Sequence, residues 1–158
     1  MKTILAALCA LCVGSAATAQ EFHGGLAFDY GKPHSGEDQS GLSWLGGVTF
    51  GGPTFRYGFE LDVGTPFGGN TDYDTNRLRL MGFYDIGDYT ILGGVGVTRY
   101  QFGDDDNDGS NVSIGVARDF SDRWALRGEF IRDFMDEDFD GFTDAVTTTR
   151  LAMIYRFF

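Results

Sequence analysis

Residues 55–63 read FRYGFELDV, so that Phe55, Tyr57, Phe59, Leu61 and Val63 alternate with Arg56, Gly58, Glu60 and Asp62. In a strand, successive side chains point to opposite faces. One face of this stretch is therefore wholly apolar, and the other is charged except at Gly58. A water-soluble sandwich buries the apolar face and leaves the charges in water. A membrane barrel reverses the arrangement, with the apolar face against lipid and the charges in its lumen. The rest of the chain decides between them.

Lys2, the apolar run 4–13 and the small residues Ala17 to Ala19 before Gln20 have the order of a secretory leader. The run is shorter than the roughly 20 residues a membrane helix needs. The expectation is a leader over 1–19 and a single outer-membrane β-barrel domain over 20–158. Cys9 and Cys12 both fall in the leader. The processed chain would then have no disulfide, thiolate metal site or cysteine nucleophile. Its 139 residues carry 11 basic and 23 acidic side chains, a formal charge of −12. That balance argues against nucleic acid or an anionic lipid surface held by bulk charge. All 24 aromatic residues lie in the same part, whereas disordered acidic chains are poor in aromatics.

Alternation with period two recurs over eight segments, roughly 21–31, 40–51, 54–64, 75–86, 89–102, 111–119, 123–133 and 145–158. Each is near the length of a tilted membrane-crossing strand. Short turns follow the even segments: GGP at 51–53, DIGD at 85–88 and DFSDR at 119–123. Longer polar stretches follow the odd ones: GKPHSGEDQ, TPFGGNTDYD, GDDDNDGS and DEDFDGFTD. Short turns at one rim and long loops at the other are the wiring of an outer-membrane barrel. The fold expected is all-β, an eight-stranded antiparallel up-and-down transmembrane β-barrel with both termini periplasmic. Strands three and four sharpen the expectation, because one register sets Asp62 opposite Arg77 and Glu60 opposite Arg79. It also sets Phe59 against Leu80, Leu61 against Leu78, Phe55 against Tyr84 and Tyr57 beside Gly82. A shift by one residue would oppose arginines to leucines. Arg127, Glu129, Arg150 and Arg156 are further inward candidates.

Segment five, YTILGGVGVTRYQF, alternates poorly. Either Ile91, Val95 and Val97 or Leu92, Thr98 and Tyr100 face lipid, and a bulge or glycine kink is expected there. GGVGV at 93–97 lacks the strand-turn-helix setting of a phosphate loop and reads as barrel packing. Trp44, Trp124, Tyr30, Tyr84 and Tyr89 read as interfacial girdles.

The last strand, RLAMIYRFF, puts Leu151, Met153, Tyr155 and Phe157 on one face and ends on aromatic residues. It resembles the C-terminal recognition strand of bacterial outer-membrane proteins, which typically ends YRF, with Phe158 added. GVARDFSDRWALRGEF at 115–130 is similar to the segment G-V-x-Y-x-F-S-D-x-W-x-L-R-x-E-Y of small OmpA- and OmpX-type barrels. Ser121, Asp122, Trp124, Leu126, Arg127 and Glu129 match it, while Phe130 departs from it. The resemblance implies a monomer in the Gram-negative outer membrane, surrounded by lipid and lipopolysaccharide and recognised by the barrel assembly machinery through its last strand. It further implies an envelope-structural or surface-interaction role without enzymatic activity. The chain stops at strand eight, so no peptidoglycan-binding domain is expected. An eight-stranded barrel is just wide enough for its side chains to fill it, and a narrow gated conductance is the alternative if the charge pairs rearrange.

Two polar stretches carry a chemical motif. DDDNDG sets Asp104, Asp106 and Asp108 before Gly109, and DEDFDG sets Asp136, Asp138 and Asp140 before Gly141. Both match the first half of a calcium loop, but position twelve is Gly115 or Thr147 instead of a bidentate glutamate. The plain reading is a solvated acidic surface; the competing one is calcium, bridging to lipopolysaccharide phosphates. No cofactor is required. The rival class is a lipid A-modifying enzyme, which needs a base beside its hydroxyl. Of the two histidines, His23 is expected in the lumen, packed or hydrogen-bonded. His34 has Ser35, Glu37 and Asp38 nearby, but the His-x-Ser strand pattern of lipid A deacylases is missing.

Overall fold

The computed structural model describes residues 19–34, 37–68, 73–102, 105–135 and 145–157. Residues 1–18, and with them nearly all of the expected leader, lie outside the described residues. The strands are β1 (Ala19–Pro33), β2 (Gln39–Gly51), β3 (Phe55–Gly68), β4 (Asp74–Ile86), β5 (Tyr89–Phe102), β6 (Asp105–Asp119), β7 (Trp124–Met135) and β8 (Ala145–Arg156). They follow one another in chain order around a closed antiparallel barrel, with β8 pairing back onto β1.

The register of β3 on β4 is the one the charges select: Asp62 lies opposite Arg77, Glu60 opposite Arg79, Leu61 opposite Leu78 and Phe59 opposite Leu80. Followed from Phe28 through Leu42, the ladder reaches β3 at Thr65. Followed the other way, through Leu151, Gly128, Val116, Ile91 and Tyr84, it returns to β3 at Phe55. Ten residues separate the two arrivals, so the shear is ten. With eight strands, that shear tilts them by about 40° from the barrel axis.

The outer wall is apolar. Phe59, Leu61, Leu78, Leu80, Ile91, Val95, Ile114, Val116, Leu126 and Leu151 face outward across a belt about 25 Å tall, the height of a hydrocarbon core. Counting along the registers, Phe22, Tyr57, Tyr84, Tyr89, Trp124, Tyr155 and Phe157 gather at the rim of the tight turns. An aromatic girdle belongs there. Trp44 departs from the girdle expected for it, sitting mid-belt between Leu26 and Val63 with 69% of its surface exposed.

Three features differ from the sequence reading. Strand β5 is unbroken against both neighbours, with Ile91, Val95 and Val97 outward and Leu92, Thr98 and Tyr100 inward, so no bulge lies there. The shift in register occurs instead between Ser40 and Gly41. Strands β3 and β6 also run further than expected, claiming residues 65–68 and 105–110 from the polar stretches. Only two residues separate β5 from β6, and the acidic hairpin is an extended ladder on which Arg99 faces Asp108. At the other rim the two-residue turn after Ile86 has Gly87 at φ 60, the first central position of a type II′ hairpin turn.

Candidate functional site: the charged lumen and the acidic rim

The inward faces fill the barrel in tiers. Nearest the tight turns, Arg56 meets Asp85 at 2.9 Å and Arg156 meets Asp119 at 2.7 Å. Above them Phe83, Leu92, Ala117, Ala125 and Ile154 make an apolar floor, and Tyr73, Tyr100 and Val146 close the opposite end. Between lies a network of ions. Glycines on the inward faces let the strands bend tightly around it: a Cβ on Gly58 would come within 2.0 Å of the Val48 carbonyl oxygen.

Arg79, fully buried, donates to Glu60 and to Glu129 Oε1 at 2.6 Å. Arg127 donates to both oxygens of Glu60 at 2.8 and 2.9 Å, and His23 Nε2 lies 3.1 Å from Glu60 Oε2. On the adjoining side, Arg150 forks onto Asp29 at 2.7 and 2.6 Å and reaches Asp62 at 2.8 Å. Arg77 spans the lumen to Asp133 at 3.0 and 2.8 Å, and Asp133 also accepts from Thr98 at 2.6 Å and Tyr100 at 2.9 Å. Five carboxylates, Asp29, Glu60, Asp62, Glu129 and Asp133, thus share four guanidiniums. A buried carboxylate is tolerable because each receives charge-assisted hydrogen bonds, and removing one partner typically costs about 3–5 kcal/mol. The voids left on either side, about 40 and 30 Å³, have room for a few water molecules.

Arg127, Glu129 and Arg150 are inward as expected, and Arg156 guards the turn-side rim. His23 is buried and hydrogen-bonded in the lumen, also as expected. Asp29, Asp133 and Ser43 were missed, although parity held the signal, and Tyr100, which the sequence leaves open between lipid and lumen, is buried. Asp29 lies an even number of residues from His23, and Asp133 an even number from Arg127 and Glu129.

The acidic rim is built differently from a cation loop. Asp106 and Asp108 point outward from β6, exposed, and Arg99 on β5 holds Asp108 through a fork of 2.6 and 2.9 Å with Asp106 at 3.5 Å. Alternate residues of an extended strand are roughly 7 Å apart. Asp104, Asp136, Asp138 and Asp140 lie outside the described residues, as does Ser35 beside His34. Among the described residues, no three His, Cys, Asp or Glu side chains come together as metal ligands would.

No family model matches the sequence, and no curated protein matches it. Solved structures do match. Neisserial surface protein A superposes with a TM-score of 0.61 at 13% identity, over 89% of this chain and 97% of that one. Ail, the attachment invasion locus protein of Yersinia pestis, in complex with the heparin analogue sucrose octasulfate, gives 0.62 at 12% identity, over 89% and 99%. The outer membrane enzyme PagL gives 0.54 at 15% identity, over 82% and 97%. At such identities the likeness carries the fold alone. The closed lumen, the apolar belt and these likenesses converge: this chain has the fold of the small eight-stranded outer-membrane β-barrels of the OmpA and OmpX type.

Proposed function

We propose that the chain is a non-enzymatic integral protein of the bacterial outer membrane, with both termini periplasmic and a closed lumen that conducts nothing. It would be a monomer, delivered by a cleaved leader and assembled through its last strand, that supports the envelope or presents its longer connections at the surface. The observation that carries this reading is the lumen itself, where Arg77, Arg79, Arg127 and Arg150 are each no more than 3% exposed and locked to carboxylates from facing strands. An inner site for a substrate has no room beside them. Planar-bilayer recording of the refolded barrel tests it: a baseline without resolved steps is expected, and regular unitary steps would replace the structural reading with the narrow gated channel.

Calcium remains an accessory reading of the acidic rim. Support comes from the recurrence of the aspartate pattern in two stretches of the sequence. A cation at Asp106 and Asp108 would have to displace Arg99.

A further inference from the structure

On the outer wall, at the rim opposite the tight turns, Lys32 on β1 and Arg132 on β7 flank Thr147 of β8 in register. Arg132 donates to the Thr147 hydroxyl and lies 5.9 Å from the Phe134 ring. Neither cation has a carboxylate partner among the described residues, whereas Arg99 at the same rim is clasped by Asp108. In a chain of net charge −11, two outward cations flanking one residue, neither met by a carboxylate among the described residues, are out of keeping with their surroundings.

Directly beneath them the apolar belt is hollowed. A groove of about 510 Å³ runs between Phe28, Tyr30, Ile114, Phe130 and Leu151, with Gly128 in its floor. A Cβ built on Gly128 would meet nothing within 4 Å, so the missing side chain leaves open space. Gly128 lies on the same strand four residues below Arg132, roughly 10 Å deeper in the membrane.

We propose that this cleft seats one phosphorylated glycolipid of the outer leaflet, its phosphate held by Lys32 and Arg132 and an acyl chain lying over Gly128. The inference rests on the outer-membrane reading above. A guanidinium presents a donor fork that matches phosphate, and a phosphomonoester carries about −1.5 to −2 charge. Two cations flanking Thr147 therefore favour the phosphomonoester of a lipid A-type glycolipid over the single charge of a phosphodiester lipid. The groove supplies the apolar half of the same ligand, in line with the headgroup site.

The test uses the refolded full barrel in phosphatidylcholine nanodiscs, titrated with bisphosphorylated lipid A, dephosphorylated lipid A or phosphatidylglycerol, with bound lipid counted by native mass spectrometry. Each cation near a membrane surface contributes about a factor of five, so Lys32→Gln with Arg132→Gln should weaken bisphosphorylated lipid A about thirty-fold. Dephosphorylated lipid A should bind the unaltered protein about as weakly as the variant binds the phosphorylated form. Gly128→Leu, which fills the groove without touching the cations, should weaken both glycolipids. Equal binding by the double variant, or phosphatidylglycerol binding as tightly as lipid A, would overturn the proposal. Every sample is first checked for insertion by its heat-dependent gel mobility. A barrel that never inserts would refute the outer-membrane reading itself, and the site with it.

Discussion

Arg79 is the hinge of the lumenal network, and its removal should be among the most destabilising single changes in the barrel. It bridges Glu60 and Glu129, with Asp62 at 3.4 Å. In Arg79→Met, Glu60 keeps Arg127 and His23, but Glu129 is left with Arg127 at 3.6 Å. Glu129 is shut off from bulk solvent, since it is 2% exposed. Breaking a buried pair from one side costs about 3–5 kcal/mol. Glu129→Gln should cost less, about 1–2 kcal/mol, because Arg79 retains Glu60 and the amide still accepts a hydrogen bond. Once Arg79 is absent, neutralising Glu129 relieves the orphaned charge, so the double variant should cost about 2 kcal/mol less than the sum of the singles. Reversible guanidinium unfolding in lipid vesicles, followed through Trp44 and Trp124, would read the Arg79→Met loss as a midpoint lower by roughly 1 M. Additivity within about 0.5 kcal/mol would refute the coupling. A Met variant as stable as the parent would refute the claim that the network holds the lumen.

Other outcomes follow from single positions. Gly58→Val should prevent folding or cost more than about 3 kcal/mol by the same assay, because the new Cβ falls 2.0 Å from the Val48 carbonyl oxygen. Gly82→Ala on the outer face, where the nearest atom is 3.9 Å away, should change stability by no more than about 0.5 kcal/mol. Leu80→Lys, mid-belt and 48% exposed, should cost about 2–4 kcal/mol in a bilayer. Calorimetric titration of calcium into the barrel should give only weak, salt-screened heat if the rim is a plain acidic surface; saturable binding lost in Asp106→Asn with Asp138→Asn would make it a cation site.

Where charge and hydrophobicity alternate cleanly, the chain announces its own register. Strands β3 and β4 could be paired in advance because Glu60 and Asp62 have only one alignment that meets Arg79 and Arg77 and also stacks Leu61 on Leu78. Strand β5 resisted because Gly93, Gly94 and Gly96 carry no side chain to report a face, although the backbone alternates through them without a break. The acidic hairpin misled for a different reason. Asp, Asn and Gly have low strand propensity and read as a loop, yet the ladder continues and Arg99 neutralises the carboxylates across it. The network's longest contacts were out of reach of any hairpin argument. Glu60 to Arg127, Asp62 to Arg150 and Arg77 to Asp133 join strands that are not neighbours. Those partners meet only once the barrel has closed with its shear.

The central claim is that the apolar face of 55–63 and its counterparts meet lipid while the charged face is sealed inside. From Gln20 onward the chain carries no cysteine, since Cys9 and Cys12 both lie before it. Spin labels on single cysteines at Leu61, Leu78 and Val97, compared with Thr98 and Thr148, therefore give the most direct test in reconstituted bilayers. Labels at the first three positions should show high collision rates with oxygen and low rates with an aqueous nickel chelate, and those at the last two should be shielded from both. Shielded labels at 61, 78 and 97, with the chelate reaching 98 and 148, would turn the molecule inside out and contradict the barrel.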